Sequence, residues 1–391
     1  MADPASYESM DIDAREDRYA GALLGLAVGD ALGLAVEGMS RAQIERRYGR
    51  IAHYRIVEDI GYVSDDTEQT VLLLSCLLDE GDDLERTIRA FRRSLRGWFL
   101  RGPLGAGRAT LGACLRITVG IHNSGRSSAG NGSAMRAPAL ALRFPVDAQR
   151  RSYFGRAAAR VTHVDPRATE GALYTAELTA ECLQHGTSVD RQRLVGRAMG
   201  VVRDARLKNA LQRASAASDD ERRYRELPRS GYVVDTLAAA TAEFLRHGHD
   251  PSLAISEAVN NGGDTDTIAA IVGAWVGALH GAHALPEDWV ECLEDGPYGR
   301  AHLLALARAA VDRTHSPPLN GFSAWLRNLS LAPLLVFHVV RRRLPVTAAS
   351  DPTLPSSTEP LSLDRVDTDE LDPKVIEEVT QIAREDLERD R

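Results

Sequence analysis

Residues 18–35 have the sequence RYAGALLGLAVGDALGLA, a continuous run of small and apolar residues. Glycine recurs at every fourth position of this run, so the glycines form one smooth stripe along a helical face. The stripe predicts an α-helix over Arg18–Ala35 whose backbone packs closely against another helix. Small-residue stripes also join helices within membranes, but the charged Asp30 interrupts this run and disfavours that alternative.

Helical patterns continue along most of the chain, and no segment shows the strict alternation of a half-buried strand. Only 5% of the 391 residues are aromatic, whereas alanine and leucine, which favour helix, are abundant. We therefore predict a compact, multi-helix, all-α domain over residues 14–315. The apolar periodicity places its main helices at Glu68–Leu78, Leu84–Phe99, Ser133–Leu142, Arg167–Gln184, Gly231–Arg246 and Ile268–His280.

The formal charge of −8 lies entirely in the last part of the chain. Residues 351–391 contain 13 acidic and 5 basic side chains, which leaves residues 1–350 formally neutral. A general nucleic-acid binder would need a basic face, so the neutral body argues against that class of protein. An anionic small ligand would be held instead by metal ions, amide dipoles and a few arginines.

The chain after residue 315 is predicted to form two further segments. The first, residues 316–345, contains an apolar helix, Phe322–Leu344, that ends in three arginines. Its apolar core, Leu329–Val340, is too short to span a bilayer, so we expect no transmembrane segment. The helix either docks on the body or, as the alternative, lies on a membrane surface. The second, residues 346–391, is predicted to be an acidic, largely disordered tail with a short helix near Asp372–Arg389.

The cysteines and the N-terminal segment indicate the compartment. The four cysteines are widely spaced and form no CxxC pair, which is typical of a reducing environment. The first residues are polar and acidic and do not have the pattern of a secretion signal. We therefore expect a cytoplasmic protein.

Two clusters of acidic and hydroxyl side chains precede apolar helices. The first is Ser64-Asp65-Asp66-Thr67, and the second is Asp264-Thr265-Asp266-Thr267, which follows two glycines. One explanation is that these residues only cap their helices. However, several carboxylates and hydroxyls in one turn exceed what a cap needs, and oxygen ligands without cysteine favour Mg²⁺, Mn²⁺ or Ca²⁺. If the clusters converge, the sequence predicts a binuclear metal site.

A glycine-rich turn and a histidine are further candidates for ligand binding. The turn Gly130–Ser133 leads into a predicted helix, where free amides would bind a diphosphate; a plain turn is the alternative. His163 precedes the next predicted helix and would contact phosphate or ribose, although a lone histidine at such a position is more often structural. Nothing in the sequence around Glu37 distinguishes that residue from an ordinary turn residue.

The motifs GALLGLAVGDALGLAVEG, SDDTEQT, GNGSAMRAPAL, THVDPRA and NNGGDTDTIAAIVGAWVGA occur in this order over residues 18–290. As a set they resemble the ADP-ribosylglycohydrolase family. The resemblance implies a compact all-α fold with two Mg²⁺, or Mn²⁺ as the alternative, in a binuclear cleft. The metal ligands that it implies are Ser64, Asp65, Asp66, Asp264, Asp266 and Thr267.

The resemblance also implies roles in catalysis and substrate binding. Glu37 would be a catalytic acid or base, or a gate that orients the ribose diol, and Asp66 is a candidate to help activate water. The substrate-binding residues would be Gly130, Asn131, Gly132, Ser133, His163 and Tyr232. One departure concerns Ser127-Ser128-Ala129, which offers no aromatic ring to stack on adenine.

The implied reaction is the metal-dependent hydrolysis of the glycosidic bond between ADP-ribose and an acceptor. The acceptor would be a protein side chain such as arginine or serine, or a small molecule, and free ADP-ribose would be the product. The partner would therefore be an ADP-ribosylated protein or small molecule. Two alternatives stay open: an ADP-ribose-binding protein without turnover, and a phosphohydrolase with a binuclear metal site.

Overall fold

The centre of the computed structural model is a pair of glycine-rich helices, Ile12–Leu34 and Thr265–His280. A Cβ added at Gly33 would lie 2.5 Å from the Cα of Asp266, and the other glycines of the stripe meet the partner backbone as closely. Only glycine allows two helices to approach in this way. The predicted close packing is therefore confirmed, and it brings the end of the first helix beside the second acidic cluster.

The structure describes residues 7, 9–57, 59–103 and 105–343, without the side chains of residues 341–343. These described residues form α-helices and short 3₁₀ turns and no β-strand, which confirms the predicted all-α fold. Numbered along the chain, the helices are α1 Ile12–Leu34, α2 Arg41–Tyr48, α3 Asp65–Asp79, α4 Leu84–Leu100, α5 Arg108–Thr118, α6 Pro138–Arg143, α7 Ala148–Arg160, α8 Pro166–His185, α9 Arg191–Ala198, α10 Ala205–Ala217, α11 Glu221–Arg225, α12 Val233–His247, α13 Pro251–Asn260, α14 Thr265–His280, α15 Glu287–Glu291, α16 Arg300–Asp312 and α17 Gly321–Arg343.

The core surrounds α14, which is apolar on all sides and buried along almost its whole length. Its Trp275 is fully buried between Tyr174 of α8 and Phe244 of α12. Both rings meet the indole edge to face, with centroids 6.0 Å and 5.7 Å away. The central helix is therefore fixed by aromatic packing on the sides that α1 does not cover.

Two helix starts differ from the predictions by five or six residues, and the other predicted starts among the described residues lie within three residues of the observed ones. α1 begins at Ile12 and not at Arg18. The additional residues before Arg18 make polar contacts with the body; for example, the Asp17 carboxylate accepts the amide of His283 (3.1 Å). The predicted helix start at Ser133 is wrong. Residues 131–133 form a 3₁₀ turn, because the Asn131 carbonyl accepts the amides of the two residues after Ser133, and α6 begins only at residue 138.

α17 is longer than its predicted apolar core. Gly321–Val340 is long and apolar enough, by length and composition, to cross a bilayer, with a mean hydropathy of 1.3. It is the one described helix that meets this test, and the expectation based on Leu329–Val340 underestimated its length. The predicted tail, residues 346–391, lies outside the described residues, which all belong to one unit within Met1–Leu344.

Candidate active site

A cleft of about 530 Å³ opens where the ends of α1, α3, α5 and α14 meet. Most of the residues predicted from the sequence line this cleft: Glu37, Asp65, Gly130, Asn131, Gly132, His163, Asp264, Asp266 and Thr267. Ser64 and Asp66 are the buried neighbours of Asp65 in the chain and lie behind this wall. Ser133 and Tyr232 do not line the cleft.

The first acidic cluster is held by Asp30, a residue that the sequence analysis did not select. Asp30 is fully buried on α1 and accepts the amides of Ser64 (2.9 Å) and Thr67 (3.1 Å) and the Thr67 hydroxyl (2.6 Å). It therefore caps α3 from another helix, and the Ser64 side chain makes no capping hydrogen bond. The signal in the sequence was the single charge within an otherwise apolar glycine-rich run.

The carboxylate of Asp66 is buried, and few hydrogen bonds compensate for its loss of hydration. Its Oδ1 has no hydrogen-bond partner, and its Oδ2 lies at 3.5 Å from the Ser64 hydroxyl and 3.4 Å from the Thr267 hydroxyl. A buried carboxylate oxygen without a partner costs free energy unless a proton or a cation compensates its charge. This oxygen therefore points to a cation rather than to a helix cap.

The second cluster has the same character at the start of α14. Asp264 occupies the capping position but makes no side-chain capping bond; its carboxylate accepts instead from the side-chain amide of Asn131. Ligand oxygens of Glu37, Asp264 and Asp266 all lie within 4.8 Å of one another. Three carboxylates at such distances repel each other unless a cation lies between them. The helix-cap explanation therefore does not account for this cluster.

A backbone contact brings Glu37 to the second cluster. The amide of Gly38 donates to the Gly263 carbonyl (2.8 Å), and the amide of Gly263 donates to the Met39 carbonyl (2.8 Å). Gly263 has a φ of +89°, in the region that favours glycine, and a Cβ there would clash with the Arg229 backbone. Gly262 has a φ of +76°, and a Cβ there would lie 2.6 Å from the Met39 carbonyl oxygen, so this glycine allows the close approach that places Glu37 at the rim.

The electrostatics of the cleft favour a positive ligand. Burial raises the pKa of Asp65 and Asp66 well above the usual range, and the nearby Asp30 raises both further. Burial also raises the pKa of Asp266 well above its usual value, with Glu37 as the next cause. Carboxyls in this situation bind either protons or a cation.

A buried hydrogen-bond network connects the first cluster to His163. Arg136 donates to Gln69 (2.9 Å), which donates in turn to Asp65 (2.9 Å). Arg136 also donates to the Thr162 hydroxyl (2.6 Å), which is hydrogen-bonded to Nδ1 of His163 (2.8 Å). Burial, helped by the charge of Arg136, lowers the pKa of His163 to about 3, so the ring is neutral. Sequence analysis missed Arg136 and Gln69 because neither belongs to an acidic cluster.

The predicted diphosphate turn is used differently from the expectation. The amide of Gly130 donates to the Ser128 hydroxyl (3.1 Å), and that of Asn131 donates to the Gly231 carbonyl (3.1 Å). The Ser133 hydroxyl donates to the Ala168 carbonyl (2.9 Å). These bonds engage two of the four amides of the turn, those of Gly130 and Asn131, so the binding of a diphosphate by this turn stays a prediction.

Tyr232 lies beside this turn, outside the cleft lining. It pairs with Gly130 in an isolated β-bridge, and its hydroxyl accepts from Arg167 at 3.0 Å. The guanidinium of Arg167 also lies 5.5 Å from the centre of the Tyr232 ring. Tyr232 therefore supports the turn from behind in this structure.

Comparisons with known proteins agree with this geometry. A family profile described as ADP-ribosylglycohydrolase matches residues 11–319. The chain is 30% identical over 297 residues to the ADP-ribosyl-[dinitrogen reductase] glycohydrolase of Rhodospirillum rubrum, which covers 71% of this chain and 90% of that protein. It is 29% identical over 313 residues to an ADP-ribosylarginine hydrolase of Pseudomonas putida, covering 76% of this chain and 78% of that protein.

A solved structure gives the same result at the level of the fold. It is described as an ADP-ribosylglycohydrolase-related protein complex and superimposes with a TM-score of 0.63 at 30% sequence identity. The match covers 77% of this chain and 99% of that chain. The motif resemblance is therefore confirmed: this protein belongs to the ADP-ribosylglycohydrolase family.

Proposed function

We propose that this protein is a metal-dependent hydrolase that cleaves the glycosidic bond between ADP-ribose and an acceptor, and releases free ADP-ribose. The observation that carries the proposal is the convergence of two acidic clusters that are far apart in the chain. The Thr267 hydroxyl reaches within 3.4 Å of Asp66, and Glu37 joins Asp264 and Asp266 at the same cleft.

The side chains at the cleft fit two hard divalent cations. All the side-chain atoms that could bind a metal ion here are carboxylate or hydroxyl oxygens. One of them, a buried Asp66 oxygen, has no hydrogen-bond partner within the protein. We propose Mg²⁺, with Mn²⁺ as the alternative. The proposed ligands are Ser64, Asp65, Asp66, Asp264, Asp266 and Thr267. When bound, the ions would polarise the ribose hydroxyls and lower the pKa of a water molecule.

The protein's own carboxylates would handle the proton. Cleavage at C1 of the ribose passes through a state with oxocarbenium character, which nearby negative charge stabilises. Glu37 lies at the exposed rim, so it can transfer a proton between the attacking water and the departing acceptor. Asp66, which is buried behind Asp65, would help to activate the water as one of the proposed metal ligands. The neutral ring of His163 would form the wall beside the ribose.

The diphosphate has a second candidate site at the start of α5. The first backbone hydrogen bond of that helix runs from the Leu111 amide to the Gly107 carbonyl, so the amides of Arg108, Ala109 and Thr110 lie before it and are available to an anion. All three residues line the cleft. Arg108 adds a positive charge at the same place, and Arg229 lines the cleft as well. We therefore propose that the start of α5 shares the diphosphate with the turn Gly130–Gly132.

Product analysis tests this proposal. The full chain would be incubated with arginine-linked, serine-linked and small-molecule ADP-ribose conjugates in the presence of Mg²⁺, Mn²⁺ or EDTA. We expect release of free ADP-ribose from at least one conjugate with metal and none with EDTA, and the cleaved conjugate identifies the acceptor. Release of AMP or phosphate would indicate a phosphohydrolase instead. Metal-dependent binding of ADP-ribose without any turnover would indicate a binding protein.

A further inference from the structure

α17 packs on the body with its polar side chains inward. Arg327, Asn328 and His338 are only 6%, 4% and 6% exposed, although the helix as a whole is strongly apolar. In a surface helix of a soluble protein the apolar face is normally the buried one. The buried face of α17 therefore mixes these polar side chains with Ala324 (0%) and Leu331 (3%), while most of the large apolar side chains of the helix point outward.

The buried polar face is bonded to specific partners. The guanidinium of Arg327 donates to Glu68 (2.7 Å), to Glu294 (2.7 Å) and to the carbonyl of Val63 (2.6 Å). His338, further along the helix, is hydrogen-bonded to the carbonyl of Ala35 at 2.8 Å. These bonds fix which face of α17 points outward, because rotation of the helix would leave a buried charge unpaired.

The outward face is a continuous apolar stripe. Its members recur at the spacing of one helical face and are 39–67% exposed. They are Phe322, Trp325, Leu326, Leu329, Leu334, Val336, Phe337 and Val340. Monomeric soluble proteins rarely expose so many large apolar side chains together, so the stripe marks an interaction surface.

The charges of the helix identify the chemistry of the partner. Residues 321–343 contain no acidic residue, and the helix ends in Arg341-Arg342-Arg343. Phe322 and Trp325 stack at its other end, with ring centroids 5.9 Å apart. An apolar face with aromatic residues and flanking arginines, and without acids, is typical of helices that lie in the surface of an anionic bilayer.

We propose that α17 binds flat on an anionic lipid bilayer and inserts its outward stripe into the lipid surface. The helix meets the length and hydropathy needed to span, but spanning would pull Arg327 and His338 away from their partners. A charge in the bilayer interior is costly, and the opposing Glu68 would be left buried and unpaired. The inference concerns a surface outside the cleft and does not depend on the proposed hydrolase activity.

Vesicle co-sedimentation of the full chain tests the proposal. The probes are vesicles of phosphatidylcholine mixed with phosphatidylglycerol, and vesicles of phosphatidylcholine alone. We expect binding to the mixed vesicles that weakens with salt, and weaker binding to phosphatidylcholine. The double variant Val336→Glu/Phe337→Glu should lower partitioning by at least about tenfold, because two charges replace two inserted apolar side chains.

A matched variant separates a specific surface from general stickiness. Val119 and Tyr153 are 65% and 62% exposed, like Val336 (62%) and Phe337 (66%), but lie elsewhere on the body. The double variant Val119→Glu/Tyr153→Glu should bind vesicles as the wild type does. Circular dichroism should show unchanged melting for both variants, since all four positions are exposed.

Several outcomes would overturn the proposal. The first is wild-type protein that stays in the supernatant with mixed vesicles, and the second is an equal loss of binding in both double variants. The third is a change of oligomeric state in light scattering without lipid, in which the wild type is a dimer and the Val336→Glu/Phe337→Glu variant is a monomer. In that case a second copy of the chain, and not lipid, covers α17.

Discussion

The substitution Asp30→Asn tests whether a cap from α1 positions the first acidic cluster. Asn has the shape of Asp, so it leaves no cavity, but it removes the charge and places an NH₂ group where an acceptor was. Asp30 accepts both buried amides of the α3 start and the Thr67 hydroxyl. All three donors reach Oδ2, and the Ser64 amide also lies 3.1 Å from Oδ1, so in either orientation of the Asn side chain its NH₂ group faces at least one of these donors.

The magnitude follows from these contacts. Loss of a helix cap costs about 0.5–2 kcal/mol, and a buried donor without a partner adds about 1–3 kcal/mol. We therefore expect Asp30→Asn to lower the free energy of unfolding by about 2–4 kcal/mol. Because Asp30 holds Ser64 and Thr67 and not a metal ion directly, the affinity for metal should fall by about 10–100-fold, as for other residues that support ligands.

The assay combines urea unfolding with calorimetric titration of Mg²⁺ and Mn²⁺. The matched control is Asp83→Asn, since exposed Asp83 caps α4 by accepting the Arg86 amide (3.0 Å) far from the cluster. Asn caps a helix about as well as Asp, so the control should keep both its stability and its metal affinity. The reasoning is refuted if Asp30→Asn loses stability but binds metal as the wild type does, or if its stability is unchanged.

Three further substitutions test the cleft. Asp264→Ala should abolish Mg²⁺ binding in calorimetry together with turnover, and turnover retained without it would contradict a metal site. Glu37→Gln should still bind Mg²⁺, because the six proposed ligands remain, but lower kcat by about 10²–10⁴-fold; an unchanged kcat removes Glu37 from the proton transfer. Burial lowers the pKa of His163 from 6.5 to about 3, so its contribution to stability is lost as the pH falls through this interval. Urea unfolding at several pH values should show that, below pH 6.5, the free energy of unfolding of the wild type falls by up to about 1.4 kcal/mol per pH unit relative to that of His163→Gln. If the two free energies change in parallel with pH, the buried neutral ring is refuted.

The glycine stripe of α1 could be interpreted from the sequence because its physical meaning is local. A glycine at every fourth position has the same consequence wherever the helix lies, and the stripe does pack against another backbone. The partner is α14, whose glycines at 273 and 277 meet Gly25 and Gly21. Periodicity therefore predicted each of the two helices, whereas their pairing became visible only in the structure.

The role of Asp30 could not be predicted in this way. A cap is normally sought next to the helix that it ends, whereas Asp30 precedes Ser64 by 34 positions and lies on another helix. The position of Glu37 has a similar cause, since it depends on the pairing of Gly38 with Gly263 across the fold. Both residues acquire their environment only through tertiary contacts, which a single sequence does not specify.

The orientation of α17 was also beyond sequence patterns. Its composition favours burial of the apolar side chains, and the docked helix predicted from it does dock, but through Arg327, Asn328 and His338. The partners that decide this are Glu68 and Glu294, which come from distant parts of the chain. A buried Glu68 requires a cation, and that requirement outweighs the apolar face.

The first turn of α3 contacts both the cleft and α17. Asp65 lines the cleft, while Glu68, one turn later, accepts from Trp98 and from Arg327 of α17. Burial raises the pKa of Glu68, and the charge of Arg327 acts against that rise. Since a paired buried charge resists separation, this ion pair holds α17 against the helix that carries Asp65. If α17 lies on a bilayer as proposed, the cleft is held at a fixed height and orientation above the lipid, and not on a flexible tether.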